Sequence, residues 1–161
     1  MWVGDLTTRE RSTFWACLGG WTLDAFDVTT FAYAITGLIS LRLLTKPQAG
    51  ILGTTALLLS SLGGWIAGIL CDRYGRVRVL QITIAWFAAL TFLTGCAQNY
   101  SQLLVLRSLQ GLGFGGEWTA GAMLMAEVIR PEYRGRAVGT VQSGYGLGAM
   151  LAGRRWTRRA R

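Results

Sequence analysis

Five side chains in this chain of 161 residues have a type and a setting that could support chemistry: Asp24, Asp27, Arg107, Gln110 and Glu117. Each interrupts a long apolar run. Asp24 and Asp27 are spaced i and i+3, so a helix presents both on one side. A carboxylate inside a bilayer costs several kcal/mol unless it is protonated, paired or wetted, and so it usually marks a pathway. Removal from water favours the protonated form of a carboxyl, as a proton carrier near neutral pH requires. Two other readings stay open: a structural hydrogen-bonding pair facing another helix, or one aspartate that titrates beside one that orients a partner. Histidine is absent, so any proton relay falls to carboxylates.

Arg107 and Glu117 are ten residues apart, roughly 15 Å along a helix axis, too far to pair directly. Arg107 lies near one end of its run, where its head group can snorkel to the interface. Its context, Arg107-x-x-Gln110-Gly111-x-Gly113, adds a polar group at i+3 and glycines that thin one face for a close neighbour or a cavity. An arginine beside a water-filled path can bind a substrate carboxylate through two hydrogen bonds. It could equally control proton release from a nearby aspartate. No nucleophile–base pair or metal-ligand constellation stands out, so the expectation is no enzyme, no catalytic residue, no metal and no cofactor.

These residues must be positioned by the apolar runs that contain them. Hydrophobic residues make up 52% of the chain and collect in stretches near 14–41, 48–70, 79–97, 103–129 and 137–153. Most reach the ~20 residues that span a bilayer's hydrocarbon core. The fold expected is therefore an all-α membrane protein. Ser12 or Thr13 is expected to cap the first helix, and Gly64-x-x-x-Gly68 to permit close helix approach in the second. Residues 1–11 show no signal-peptide pattern. Cys17, Cys71 and Cys96 lack a CxxC pair and are read as packing residues.

The net charge of +8 invites a nucleic-acid partner, but its distribution argues against one. Five of the 16 basic residues are Arg154, Arg155, Arg158, Arg159 and Arg161; without them, 11 stand against 8 acidic residues. Most of the remainder lies in short loops, as topology signals do. With the N-terminus inside, the inner segments hold Arg9, Arg11, Arg73, Arg76, Arg78, Arg130, Arg134 and Arg136, against Arg42 and Lys46 outside. That imbalance predicts a cytoplasmic N-terminus and a multi-pass protein of the plasma (inner) membrane. The lipid bilayer is the expected surrounding and nucleic acid is not a partner.

Between the second and third runs lies Gly68 to Leu80, GILCDRYGRVRVL, a charged loop too short for anything but a tight turn. Gly75 suits a backbone that needs positive φ or close approach. Asp72 beside Arg73 and Arg76 can hold an ion pair at the membrane face. An ordinary positive-inside loop would need the arginines but not this glycine and aspartate spacing. Gly68-x-x-x-Asp72-Arg73-x-Gly75-Arg76 resembles the loop signature between the second and third helices of the major facilitator superfamily, with Val77 at its last basic position. Arg107-x-x-Gln110-Gly111-x-Gly113 resembles that family's fourth-helix motif, associated there with proton coupling. Gly115-Gly116-Glu117-Trp118, Glu127-x-x-x-Pro131 with Arg134-Gly135, and Asp24-x-x-Asp27 resemble its metabolite:proton symporter branches, including carboxylate and sialic-acid permeases. The resemblance covers about residues 10–153.

The resemblance implies an incomplete N-terminal six-helix half of a twelve-helix bundle, with substrate near the midplane and two halves rocking around it. It further implies that the first and fourth helices line a central cavity. Asp24 or Asp27 would carry the proton, Arg107 and Gln110 would serve substrate or proton, and Glu117 would be a second acidic candidate. Gly68, Asp72, Arg73, Gly75 and Arg76 would form an inner conformational latch. The function expected is proton-coupled symport of a small organic anion, a carboxylate or sugar acid. A facilitator without proton coupling is a further class. Gly111-x-Gly113-x-x-Gly116 also fits a dinucleotide fingerprint, but that reading needs a preceding strand and a helix that starts at the glycines.

The fifth run breaks into RRWTRRAR at Arg154. In the deduced topology this tail emerges outside, against the positive-inside rule. The expectation is a partial transporter domain over 1–153 and a basic tail over 154–161 from a truncated or frameshifted reading frame. The competing reading is a genuine basic segment on anionic lipid. A chain without its C-terminal half is expected to be inactive alone. The alternative is a small non-transporting membrane protein, or an orphan half that requires a partner.

Overall fold

The computed structural model describes residues 2–159. A short 3-10 turn, Trp2–Asp5, precedes five helices: α1 (Thr8–Ser40), α2 (Lys46–Tyr74), α3 (Arg76–Gly95), α4 (Tyr100–Val128) and α5 (Pro131–Arg159). No strand occurs among the described residues.

Local signals set the helix starts. α1 begins earlier than Ser12 or Thr13, which lie inside it. The Thr7 hydroxyl accepts from the Glu10 N–H at 3.4 Å, and the Glu10 carboxylate accepts from the Thr7 N–H at 2.8 Å. This reciprocal capping box satisfies two N–H groups that a helix start leaves without intrahelical partners. α2 opens on the same device, with Thr45 and Gln48 exchanging bonds and Pro47 in the first turn. Before α4, the Asn99 side chain accepts from the Gln102 N–H at 2.9 Å. Helix therefore starts at Tyr100, ahead of the apolar run that begins near 103. Between α2 and α3, Gly75 has φ 87° and ψ 144°, a region that side chains with a Cβ rarely enter. A single residue thus joins two helices.

The fifth helix is longer than its apolar run. Pro131 starts it, and the change of composition at Arg154 brings no change of backbone conformation up to Arg159. Of the tail read as 154–161, Ala160 and Arg161 lie outside the described residues.

The chain divides into two compact units, residues 1–33 with 121–161 and residues 34–120. In the second unit α2, α3 and α4 pack through very small residues. A Cβ at Gly63 would overlap the Leu112 backbone, and one at Gly115 would overlap that of Ser60. Gly64 lies against Thr119 and Gly115, whereas Gly68 has nothing within 4 Å. The close crossing of α2 with α4 is therefore made at Gly63 and Gly64, not by the Gly64–Gly68 pair. On α4, Gly113 faces Trp86 and Phe87 of α3, and Gly116 faces Thr83. The glycines of the apparent dinucleotide fingerprint are thus helix-packing positions inside a 29-residue helix.

The outward faces show the opposite composition. On α2, Leu57, Leu58, Leu62, Trp65 and Ile69 are exposed, while Gly63, Ala67 and Cys71 are buried, with Leu52 the one large residue among the buried ones. Small residues inside and large apolar ones outside are what lipid demands, because helix association there depends on close packing and not on hiding apolar surface from water. α2 and α3, each with mean hydropathy 1.6, are long and apolar enough to cross a membrane. The first unit packs α1 against α5: Gly144 meets Leu18 and Thr22, and Gly148 meets Thr22, Ala25 and Phe26. Cys17 and Cys71 are buried as expected, but Cys96 is exposed because it caps α3 at the turn.

Candidate functional site

In the second unit the structure brings Arg107 and Gln110 together. Both are buried, at 8% and 1% exposure. One guanidinium nitrogen of Arg107 donates to the Gln110 side-chain oxygen at 2.6 Å, and the Gln110 amide nitrogen donates to the Thr91 hydroxyl of α3 at 2.6 Å. An i, i+3 pair on α4 is thus tied across to α3. Burial of a guanidinium is tolerable only with such charge-assisted hydrogen bonds. Glu117, on the same helix, is also buried. Two apolar grooves of this unit, about 510 and 280 Å3, include none of the five candidate residues in their linings.

In the first unit, α1 presents Asp24 fully buried and Asp27 half-buried. The segment that carries them is held by α5, since Gly148 lets the two backbones approach next to Ala25 and Phe26. Trp21 and Tyr145 add a ring contact at 5.7 Å one turn away.

The α2–α3 turn holds its expected ion pair. Arg76 lies 3.2 Å from Asp72, with 28% and 69% of the two side chains exposed, and another Arg76 nitrogen donates to the Cys71 carbonyl at 3.3 Å. Arg73 instead lies over the Tyr74 ring at 5.7 Å. Gly75 supplies the positive φ.

A second charged cluster went unread in the sequence. Arg130, between α4 and α5, reaches back 120 residues to Glu10. Its Nε donates to Oε1 at 3.0 Å, an Nη donates to Oε2 at 3.3 Å, its backbone N–H donates to Oε1 at 3.0 Å, and that Nη also donates to the Asp5 carbonyl. The Arg130 guanidinium first, then the N–H groups of Thr7 and Arg130, hold the Glu10 carboxyl down at about 2. The Arg130 guanidinium is correspondingly raised, chiefly by Glu10. The Thr7-x-x-Glu10 capping signature was a readable sign that Glu10 is structural. Nothing local pointed to Arg130 as its partner, or to Thr91 as the partner of Gln110.

Comparison with known proteins agrees with this architecture. Residues 17–153 match the family model described as Major Facilitator Superfamily. The probable 4-methylmuconolactone transporter of Cupriavidus pinatubonensis is 52% identical over 151 residues, which cover 94% of this chain and 35% of that protein. The cis,cis-muconate transport protein of Acinetobacter baylyi is 35% identical over 130 residues, covering 81% of this chain and 32% of that protein. A crystal structure of a bacterial homolog of the human lysosomal transporter Spinster, inward-facing and unoccupied, superposes with TM-score 0.82 at 22% identity, over 91% of this chain and 31% of that one. The chain thus spans about a third of the length of the curated relatives it matches. These are membrane transporters and not enzymes. With its five helices and this matched stretch, the chain belongs to the Major Facilitator Superfamily, as a multi-pass membrane protein corresponding to part of the N-terminal half of the family's helical bundle.

Proposed function

We propose that this chain is part of a proton-coupled symporter of small organic anions, set in the plasma (inner) membrane with its N-terminus in the cytoplasm. The observation that carries the reading is the buried Arg107, its guanidinium held by the Gln110 side chain. A delocalised cation held this way matches a carboxylate through two parallel hydrogen bonds. The relatives named for muconate and 4-methylmuconolactone support a small unsaturated carboxylate as the substrate class. Asp24 or Asp27 carries the proton, with Glu117 as a second acidic candidate. No covalent chemistry is required.

Asp72 and Arg76, with Gly68, Arg73 and Gly75 around them, act as the inner latch, an ion pair that favours one conformation and exchanges during transport. The chain by itself is inactive, and transport requires a C-terminal half. In a full-length transporter that contains these helices, Asp27→Asn abolishes acid-driven accumulation of the anion and retains exchange. Accumulation unchanged by that substitution overturns the proton role. A protonophore that leaves accumulation intact points to a facilitator without coupling.

A further inference from the structure

The partners of α3 and α4 run in antiparallel register. Thr83 faces Gly116, Phe87 faces Gly113, and Thr91 meets Gln110. Trp86 Nε1 also donates to the Leu109 carbonyl at 3.0 Å, and Phe87 and Phe114 approach at 6.5 Å between ring centroids. Glycines at 113 and 116 remove the side chains that would otherwise push the helices apart. Thr91 is therefore held at a set height on α3, on the side that faces Gln110. One turn further along α3, the buried Thr94 hydroxyl oxygen has no hydrogen-bond partner among the described residues.

We propose that Thr91 is a positioning residue for Arg107, acting through Gln110. An arginine only donates, whereas a carboxamide donates from one end and accepts at the other. If the Gln110 carboxamide turned over, its NH2 would face the guanidinium, donor against donor. Arg107, which only donates, sets the sense of the carboxamide, and the Thr91 hydroxyl, by accepting from the outward amide nitrogen, tethers that carboxamide to α3 and so fixes where its oxygen meets the guanidinium. The orientation of the buried cation on α4 is thereby set from α3, by a residue outside the fourth-helix motif. The proposal rests on the reading of Arg107 as the anion-binding group and adds what aims it.

The test uses the whole 161-residue chain in lipid nanodiscs, with isotope-labelled glutamine and arginine side chains followed by NMR. Thr91→Val keeps the branched shape and removes the acceptor. It is expected to shift the Gln110 carboxamide resonances and to speed exchange of the Arg107 guanidinium protons about fivefold, the loss of one ordinary hydrogen bond. Thr91→Ser restores both. Thr94→Val, the same change in shape one turn away, leaves both unaltered. Thr91→Val without effect overturns the proposal, and so does an equal effect from Thr94→Val, which would mean packing alone.

Anion uptake is then read in a full-length transporter carrying the same helices. Thr91→Val is expected to raise the KM for muconate about fivefold with kcat retained, and Thr91→Ser to return it. A disordered Arg107 with unchanged uptake leaves the positioning role standing and removes Arg107 from anion binding, so the two claims fail separately.

Discussion

Glu10–Arg130 and Asp72–Arg76 are both acid–arginine pairs near helix ends, yet they are built on different principles. Asp72 and Arg76 are four residues apart across a one-residue turn, with 69% of the aspartate exposed and a contact at 3.2 Å. Glu10 is buried to 3% exposure and gathers the Nε, an Nη and the backbone N–H of Arg130 together with the N–H of Thr7. An exposed pair is worth ~1 kcal/mol or less, because water competes for both charges and the side chains lose freedom. A carboxylate withdrawn from water and met by several donors depends on every one of them. The first design suits a contact that opens and closes, and the second suits one that stays shut. Being locally encoded and being structurally committed are separate properties here.

That contrast can be broken experimentally, and the largest effect is expected at Arg130. Arg130→Ala strips the buried Glu10 of its main partner and should lower the Tm of the chain in nanodiscs several-fold more than any change at Asp72. Acid should act in the same direction. The Glu10 carboxyl is lowered from its ordinary 4.5 to about 2, so its contribution is fully present above pH 4.5 and is lost as pH falls toward 2. A chain whose first turn of α1 loosens already at pH 6, by amide exchange at Thr7 and Arg130, would contradict this.

A smaller effect is expected at the exposed pair. Asp72→Asn should cost ~0.5 kcal/mol or less of stability, fading further at high salt. The exchanged pair Asp72→Arg with Arg76→Asp should recover most of it. The corresponding exchange of Glu10 and Arg130 should not, since an arginine at position 10 cannot accept the N–H groups of Thr7 and Arg130. Equal recovery at both sites would erase the distinction drawn between them. The smallest effect is expected at Gly68, which has open space around it. Gly68→Ala should be neutral or slightly stabilising, because alanine is the better helix former. Gly63→Ala, aimed at the Leu112 backbone, should cost ~1–3 kcal/mol. Thermal melts of the two variants side by side decide this.

Much of the fold was legible because it is written locally. Five apolar runs, most of them long enough for a bilayer's core, announced five helices, the charged turn after α2 announced its glycine, and Asp72 stands within reach of Arg76 through the chain itself. The Arg107-x-x-Gln110 spacing likewise made those two neighbours on any helix. Helix ends were less legible. Asn99 begins α4 through a side-chain bond to a residue three positions on, in a segment that composition marks only as polar, whereas the Thr7-x-x-Glu10 spacing that begins α1 is a readable cap.

The rest was decided in three dimensions. Gly64-x-x-x-Gly68 has the spacing of a packing motif, yet the crossing with α4 selects Gly63 and Gly64 and leaves Gly68 open. Spacing says which glycines share a face but not which face meets a neighbour. Thr91 is an ordinary hydroxyl in an apolar helix until the antiparallel register of α3 and α4 sets it against Gln110. Glu10 and Arg130 are separated by 120 residues, and no periodicity relates positions so far apart. The sequence determined which residues must leave water and which segments are helical, since both follow from the chemistry of a few neighbouring positions. Only the tertiary structure decided which buried charge or hydroxyl finds which partner, since that depends on the register of helices brought together from distant parts of the chain.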